Sequence, residues 1–251
     1  YKKGSLWYTD MISLLKSIPE RRVPPCDLFY KCGGCSLQHF DYSAQLKSKK
    51  NHLLQVFERI AKLRIGLDKF SFYDSQPLNY RNRTVFPLKT NSDGNMLMGY
   101  YRRSSHSIVD LECCPILDQR INSILPNLKK FLNKYNISAD SNGKYPQSLR
   151  HLSIRVGNKT DQILITLVCN SYDNMLIKAL SYDLLDRFNY IVGVTINIQD
   201  KPNNIIFGDH NITIAGKGYI EDYFLGLKIL IGPTTFFQIN KMQAEKAVSL
   251  I

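Results

Sequence analysis

LSIRVGNKTDQILITLVCNSYDNMLIKALSYDLLDRFNYIVGVTINI, residues 152–198, decides the fold class. Leu152-Ser-Ile-Arg-Val156 alternates apolar and polar side chains, the period of a half-buried strand. Gln162–Cys169 and Ile191–Ile198 read as further strands, and Met175–Phe188 between them reads as a helix. Working outward, strand signals continue at Asn204–Phe207, Asn211–Ala215 and Leu227–Ile231, and a last helix starts near Asn240. Gly216-Lys-Gly218 is a turn between strands, because Glu221 stands where a dinucleotide fingerprint needs its third glycine. Upstream, Val85–Leu88 and Met96–Tyr101 predict a hairpin across Asn91–Asn95, whose Asp93-Gly94 is a turn signal. Asp118 caps a predicted helix to about Tyr135, broken or restarted at Pro126. Asp41 caps another, with Leu46, Leu53, Leu54, Phe57, Ile60 and Ala61 at helical spacing and Gly66 as terminator. Residues 5–16 mix strand and helix signals, and Pro19, Pro24 and Pro25 then impose extended backbone. Interleaved helices and strands predict an α/β fold of mixed architecture.

Composition narrows the function. The 251 residues are 44% hydrophobic, enough for a real core and against wholesale disorder. A formal net charge of +12 points to a polyanion, with nucleic acid ahead of an anionic membrane. No run of 18 apolar residues spans a membrane, and no signal peptide opens the chain. The chain begins at Tyr1 and ends at Ile251 in a helical run, so an excerpt of a longer cytoplasmic protein is expected.

Six cysteines carry the strongest local signal: Cys26, Cys32, Cys35, Cys113, Cys114 and Cys169. Cys26-x5-Cys32-Gly33-Gly34-Cys35 puts three thiols within ten residues, and the glycines let the loop bend and bring N–H groups toward sulfur. A fourth ligand must come from Cys113 or Cys114. Structural zinc prefers two short Cys pairs, whereas iron–sulfur clusters commonly use a near triplet and a distant Cys, so the spacing favours a cluster over zinc. Cys169 closes an apolar run and reads as a core thiol. Tyr80-Arg81-Asn82-Arg83 and Tyr100-Tyr101-Arg102-Arg103 interleave aromatics with arginines, which suits phosphates and unpaired bases; a solvated strand face accounts for either segment equally well. The five histidines show no metal-pair spacing and are expected at the surface.

Pro24-Pro25-Cys26, Cys32-Gly-Gly-Cys35-Ser-Leu-Gln-His39, Tyr42 and Lys47 resemble the cluster loop and following helix of RNA (uracil-5-)-methyltransferases. Tyr80-Arg-Asn82, Gly99-Tyr100, Ile108-Val-Asp110, Cys114-Pro-Ile-Leu117, Asn204-Ile-Ile-Phe-Gly208 and Phe236-Phe-Gln-Ile-Asn240 continue the resemblance in order, from about Arg21 to the last residue. The resemblance implies a [4Fe–4S] cluster on Cys26, Cys32, Cys35 and Cys114. It implies S-adenosyl-L-methionine contacted by Gln238, and an RNA partner met by Arg81, Arg83, Arg102 and Arg103. Ribosomal RNA is the expected substrate, since the tRNA-modifying branch lacks the cluster; tRNA is the alternative. The implied domains are the tail of an RNA-binding TRAM β-barrel (1–25), a central iron–sulfur and RNA-binding domain (26–40 and 67–231), and parts of a Rossmann-like methyltransferase domain (41–66 and 232–251). In the family's chemistry a cysteine thiolate adds to uracil C6, C5 attacks the sulfonium methyl, and a carboxylate removes the C5 proton. The nucleophile's Asp-Pro-Pro-Arg context is absent from the sequence, so no catalytic residue is assigned and the chain alone is expected to be inactive. The competing classes are a metal-stapled RNA-binding module without chemistry and, less well supported, a redox enzyme, against which four available thiols argue.

Overall fold

The computed structural model describes all residues except 1, 8, 10, 144, 146, 147, 172–174 and 202. The chain divides into two compact units, residues 1–25 with 36–72, and residues 26–35 with 73–251.

The smaller unit holds two short paired strands, β1 (Lys2–Lys3) and β2 (Leu6–Trp7), and one long helix, α1 (Tyr42–Arg59). Residues 8 and 10, within the segment of mixed signals, lie outside the described residues. The Asp41 carboxylate accepts from the Ser43 and Ala44 amides and so caps α1 as predicted. The helix does not run to Gly66. It stops at Arg59, with Ile60 as C-cap, and Lys62 takes a left-handed φ of 56° that reverses the chain before Gly66 is reached. Its apolar stripe is half-buried at Leu46, Leu53, Leu54 and Phe57, while Ile60 and Ala61 are exposed.

The larger unit is built on β3 (Arg83–Thr90), β4 (Met96–Tyr101), β5 (Ile108–Asp110), β6 (Leu149–Val156), β7 (Ile163–Cys169), β8 (Ile191–Ile198) and β9 (His210–Gly216). They form one seven-stranded sheet in the order β5-β4-β3-β6-β7-β8-β9. Every neighbouring pair is antiparallel except β7–β8. That parallel pair is joined through helix α3 (Met175–Arg187), because parallel neighbours need a long crossover. The expected mixed α/β fold is therefore what the chain adopts. The β3–β4 hairpin forms where expected: the Asn91 side-chain oxygen accepts from the Asp93 and Asn95 amides, and Gly94 supplies the φ of 82°.

Helix α2 (Gln119–Lys134) is capped by Asp118 and buries Ile121, Ile124, Leu125, Leu128, Phe131 and Leu132 as one stripe. Pro126 neither breaks nor restarts it. The ring lies on the exposed side of the helix, where water can satisfy the carbonyl that loses its partner. Together α2 and α3 cover one face of the sheet and close the main core over Phe86, Leu88, Leu152, Ile154, Ile165, Leu167, Val194 and Ile196.

The opposite face of the sheet is polar and also buried. Arg83 lies opposite Arg155, Ser153 opposite Thr166, and Thr166 opposite Thr195. The alternation in 152–156 is thus genuine, but both of its faces are covered. His151 is likewise buried in β6 rather than at the surface. Two further expectations fail. Residues 204–207 form no strand; they are a bend held by Gln199 and Asn203 side chains. An unforeseen strand, β10 (Ile220–Phe224), pairs with β11 (Leu227–Ile231) across Leu225-Gly226, both at positive φ. The last helix, α4 (Lys241–Val248), starts at the expected N-cap Asn240 and ends before Ile251.

Candidate metal centre and nucleic-acid interface

The cysteine loop 26–35 is a series of tight turns. Phe29 N–H donates to the Cys26 carbonyl, and the Lys31 and Cys32 amides both donate to the Leu28 carbonyl. Buried Phe29 anchors the loop. The Gly33 amide donates to the Tyr101 carbonyl at 2.9 Å, and Cys32 bridges to Arg102, which joins the loop to the end of β4. A Cβ on Gly33 would lie 2.9 Å from the Tyr101 carbonyl oxygen and 3.2 Å from the Arg103 backbone, so only glycine fits that approach. The Gly34 amide points at Cys32 Sγ at 3.4 Å, a donor aimed at sulfur.

Two further thiols, Cys113 and Cys114, stand in the segment before α2. Cys114 is 6% exposed, whereas Cys113 is exposed to solvent. Asn122 on α2 fixes Cys114 from both sides, its side-chain oxygen accepting from the Cys114 amide and its Nδ2 donating to the Cys114 carbonyl. Burial pushes the Cys114 thiol up to about 11, and the thiols of Cys35 and Cys26 add to the rise. Cys26 is raised by burial too, and further by Cys32, Cys35 and Cys113. These thiols are near enough to oppose one another's ionisation, which is the electrostatic situation a bound cation relieves. Among the described residues, no three His, Cys, Asp or Glu side chains are drawn tightly enough to grip a single metal ion. A cubane cluster is wider than one ion, and an all-thiol donor set with an N–H directed at sulfur fits it. Cys169 stands apart, fully buried, donating to the Ser171 carbonyl and pushed up to about 12 by burial.

The four arginines expected at an RNA surface divide into two kinds. Arg102 and Arg103 are exposed beside the cysteine loop, Arg103 donating to the Cys35 carbonyl, and Tyr101 packs edge-on against His106. They line an open cleft of about 530 Å³ with Gly33, Gly34 and Tyr100. Arg81 and Arg83 are half-buried. Arg81 Nε donates to the Arg83 carbonyl, while Arg83 donates to Ser153 and to the Pro233 carbonyl and lies over the Phe207 ring. Gln238 is exposed on a segment without regular structure, and its carbonyl accepts from the Asn82 side chain.

Sequence reasoning missed the buried bases of β6. Arg150 donates to the carbonyls of Gln199, Lys201 and Asn203 and ties that loop down. Arg155 donates to the Thr235 carbonyl at 2.6 Å. Their neighbours 152, 154 and 156 are apolar, and that alternation was the available signal; it marks a face but not its burial.

No helix among the described residues is long and apolar enough to cross a membrane. No family model matches the chain. Over 255 aligned residues it is 40% identical to an uncharacterised RNA methyltransferase of Prochlorococcus marinus, covering 100% of this chain and 60% of that relative. It is 34% identical to an uncharacterised RNA methyltransferase of Synechocystis, covering 94% of this chain and 51% of the relative. Among solved structures, the Pyrococcus abyssi tRNA (uracil-54, C5)-methyltransferase bound to S-adenosyl-L-homocysteine matches with a TM-score of 0.69 and 25% identity, over 95% of this chain and 52% of that one. The chain spans between half and three fifths of the length of these proteins.

Proposed function

We propose that this chain supplies the RNA-docking and cluster-bearing part of an S-adenosyl-L-methionine-dependent RNA methyltransferase that modifies C5 of uridine, with ribosomal RNA as substrate. The observation that carries the reading is the likeness, over 95% of the chain, to a solved tRNA uracil-5-methyltransferase. The net charge of +12 and the exposed Arg102 and Arg103 beside the cysteine loop support an RNA partner. Transfer RNA is the second reading, favoured by the substrate named for that neighbour.

Cys26, Cys32, Cys35 and Cys114 are the residues that would hold a [4Fe–4S] cluster, and Gln238 the one that would touch the methyl donor. The cluster sets the ribosomal reading apart from the transfer-RNA one. The domain map of 1–25, 26–40 with 67–231, and 41–66 with 232–251 remains our assignment. No catalytic residue is assigned within the 251 residues. Burial pushes the Cys169 thiol up to about 12, so it is not a thiolate poised for attack on uracil.

The test is transfer of a labelled methyl group from S-adenosyl-L-methionine to ribosomal and transfer RNA by the protein expressed from its own gene, followed by nucleoside analysis. The 251-residue chain alone is expected to leave no 5-methyluridine. Product at a base other than uracil, or at a position other than C5, refutes the assignment. Product from the isolated chain at the rate of the whole protein would make one of its own cysteines the nucleophile.

A further inference from the structure

Two arginines face each other on the polar side of the sheet without a carboxylate between them. Arg83 on β3 and Arg155 on β6 are directly opposed in register. Arg155 is 3% exposed. Its Nη2 donates to the Thr235 carbonyl, but its Nε and Nη1 are buried with no hydrogen-bond partner. Arg83 has Ser153 and the Pro233 carbonyl as acceptors. Burial lowers the affinity of Arg155 for its proton, to about 9, and the charge of Arg83 contributes; at that value Arg155 is still cationic at neutral pH. Arg83 is lowered too, by burial first and then by the charge of Arg81.

A buried guanidinium calls for an anion and for acceptors on all its N–H groups. Here the acceptors are a hydroxyl and two carbonyls, all neutral, and three N–H bonds of Arg155 have none. The pair lies under residues 233–238, a segment without helix or strand whose Thr234, Thr235 and Phe236 are exposed. A group carrying several anionic oxygens would satisfy both forks at once, taking the places now filled by the Pro233 and Thr235 carbonyls.

We propose that Arg155 and Arg83 form a phosphate-binding subsite that seats one phosphodiester of the RNA strand on the polar face of the sheet, beside the segment that carries Gln238. The inference rests on the RNA-substrate reading and adds Arg155 to it. A carboxylate is the other anion these forks accept, and the methyl donor has one, so the experiment separates the two sources.

Binding of a fluorescent uridine-containing RNA is measured across a salt series for the wild type, Arg155→Gln and Arg155→Lys. Loss of one phosphate contact is expected to reduce the slope of log affinity against log salt by about 0.7 for a single strand. Arg155→Lys, which keeps the charge, is expected to restore most of the slope. In a second arm, inorganic phosphate is expected to raise the melting midpoint of the wild type above chloride of equal ionic strength, and to do so less in Arg155→Gln. The wild-type phosphate arm and Arg155→Lys decide the matter if Arg155→Gln does not fold. An unchanged slope with no phosphate-specific shift overturns the subsite. A loss of S-adenosyl-L-homocysteine affinity in Arg155→Gln at unchanged slope gives the pair to the cofactor and also overturns it. Failure of the wild type to bind RNA would sink the RNA reading instead, and a phosphate-specific shift would still mark an anion site.

Discussion

His151 makes the stability of this protein depend on pH between about 6.5 and 4. It is the third residue of β6, opposite Pro87 on β3 and Val168 on β7, and is 6% exposed. Burial, with a smaller contribution from Arg150, lowers its pKa from 6.5 to about 4, and its Nδ1 has no partner. The neutral imidazole is therefore the folded form. In the unfolded chain the ring takes a proton below about pH 6.5. The unfolded state then binds more protons than the native one, so stability falls as pH drops from 6.5 and levels off near 4. A shift of 2.5 units corresponds to roughly 3 kcal/mol in full, of which about 2 kcal/mol is lost by pH 5. The assay is urea unfolding at pH 7.5 and pH 5 for the wild type and His151→Asn. The variant starts less stable, because a smaller side chain leaves a void, but its loss between the two pH values should be smaller by about 2 kcal/mol. Equal losses in both proteins would mean that the folded ring is protonated at pH 5, and the reasoning from burial would be wrong.

The cysteine centre gives two further predictions. Protein purified without oxygen should be brown, with iron and acid-labile sulfide in equal amounts; Cys114→Ser should lose both and Cys113→Ser should keep them, because only Cys114 is buried and fixed by Asn122. Stoichiometric zinc without sulfide, or the reverse order of the two variants, contradicts the assignment. Gly33→Ala should lower stability by about 1–3 kcal/mol and reduce iron content, since both obstructing groups are backbone and cannot swing aside. Gly94→Ala, at a φ of 82° with open space around it, should cost about 1–2 kcal/mol in chemical denaturation and leave iron unchanged. If Gly33→Ala melts and loads iron like the wild type, the loop does not need its close approach to Tyr101.

What the sequence disclosed, and what it hid, follows from the range of the forces involved. The β3–β4 hairpin, the Asp41 and Asp118 caps and the α2 stripe are written in residues a few positions apart, so local reasoning reaches them. The cysteine set was proposed from thiol spacing and resemblance; spacing alone left Cys113 and Cys114 open, and the structure adds that Cys114 is buried and held by Asn122 while Cys113 is exposed. Strand β10 was illegible for the opposite reason. Its central residue, Asp222, is buried and bonded to the Asn158 and Lys159 amides, and Lys241, itself buried, approaches it within 3.5 Å. A carboxylate at a core position looks like a loop until its partners, up to 64 residues away, are known. The same holds for the polar side of the large sheet. Ser153, Arg155, Thr166 and Thr195 sit where an outward face is expected, and the Thr195 and Thr166 hydroxyls are hydrogen-bonded to each other at 2.9 Å out of water. Nothing in a strand's alternation says whether its second face meets solvent, a loop or a ligand. That face is where Arg83 and the buried Arg155 lie, so the part of the proposed site least visible in sequence is the part whose unpaired donors ask for an anion.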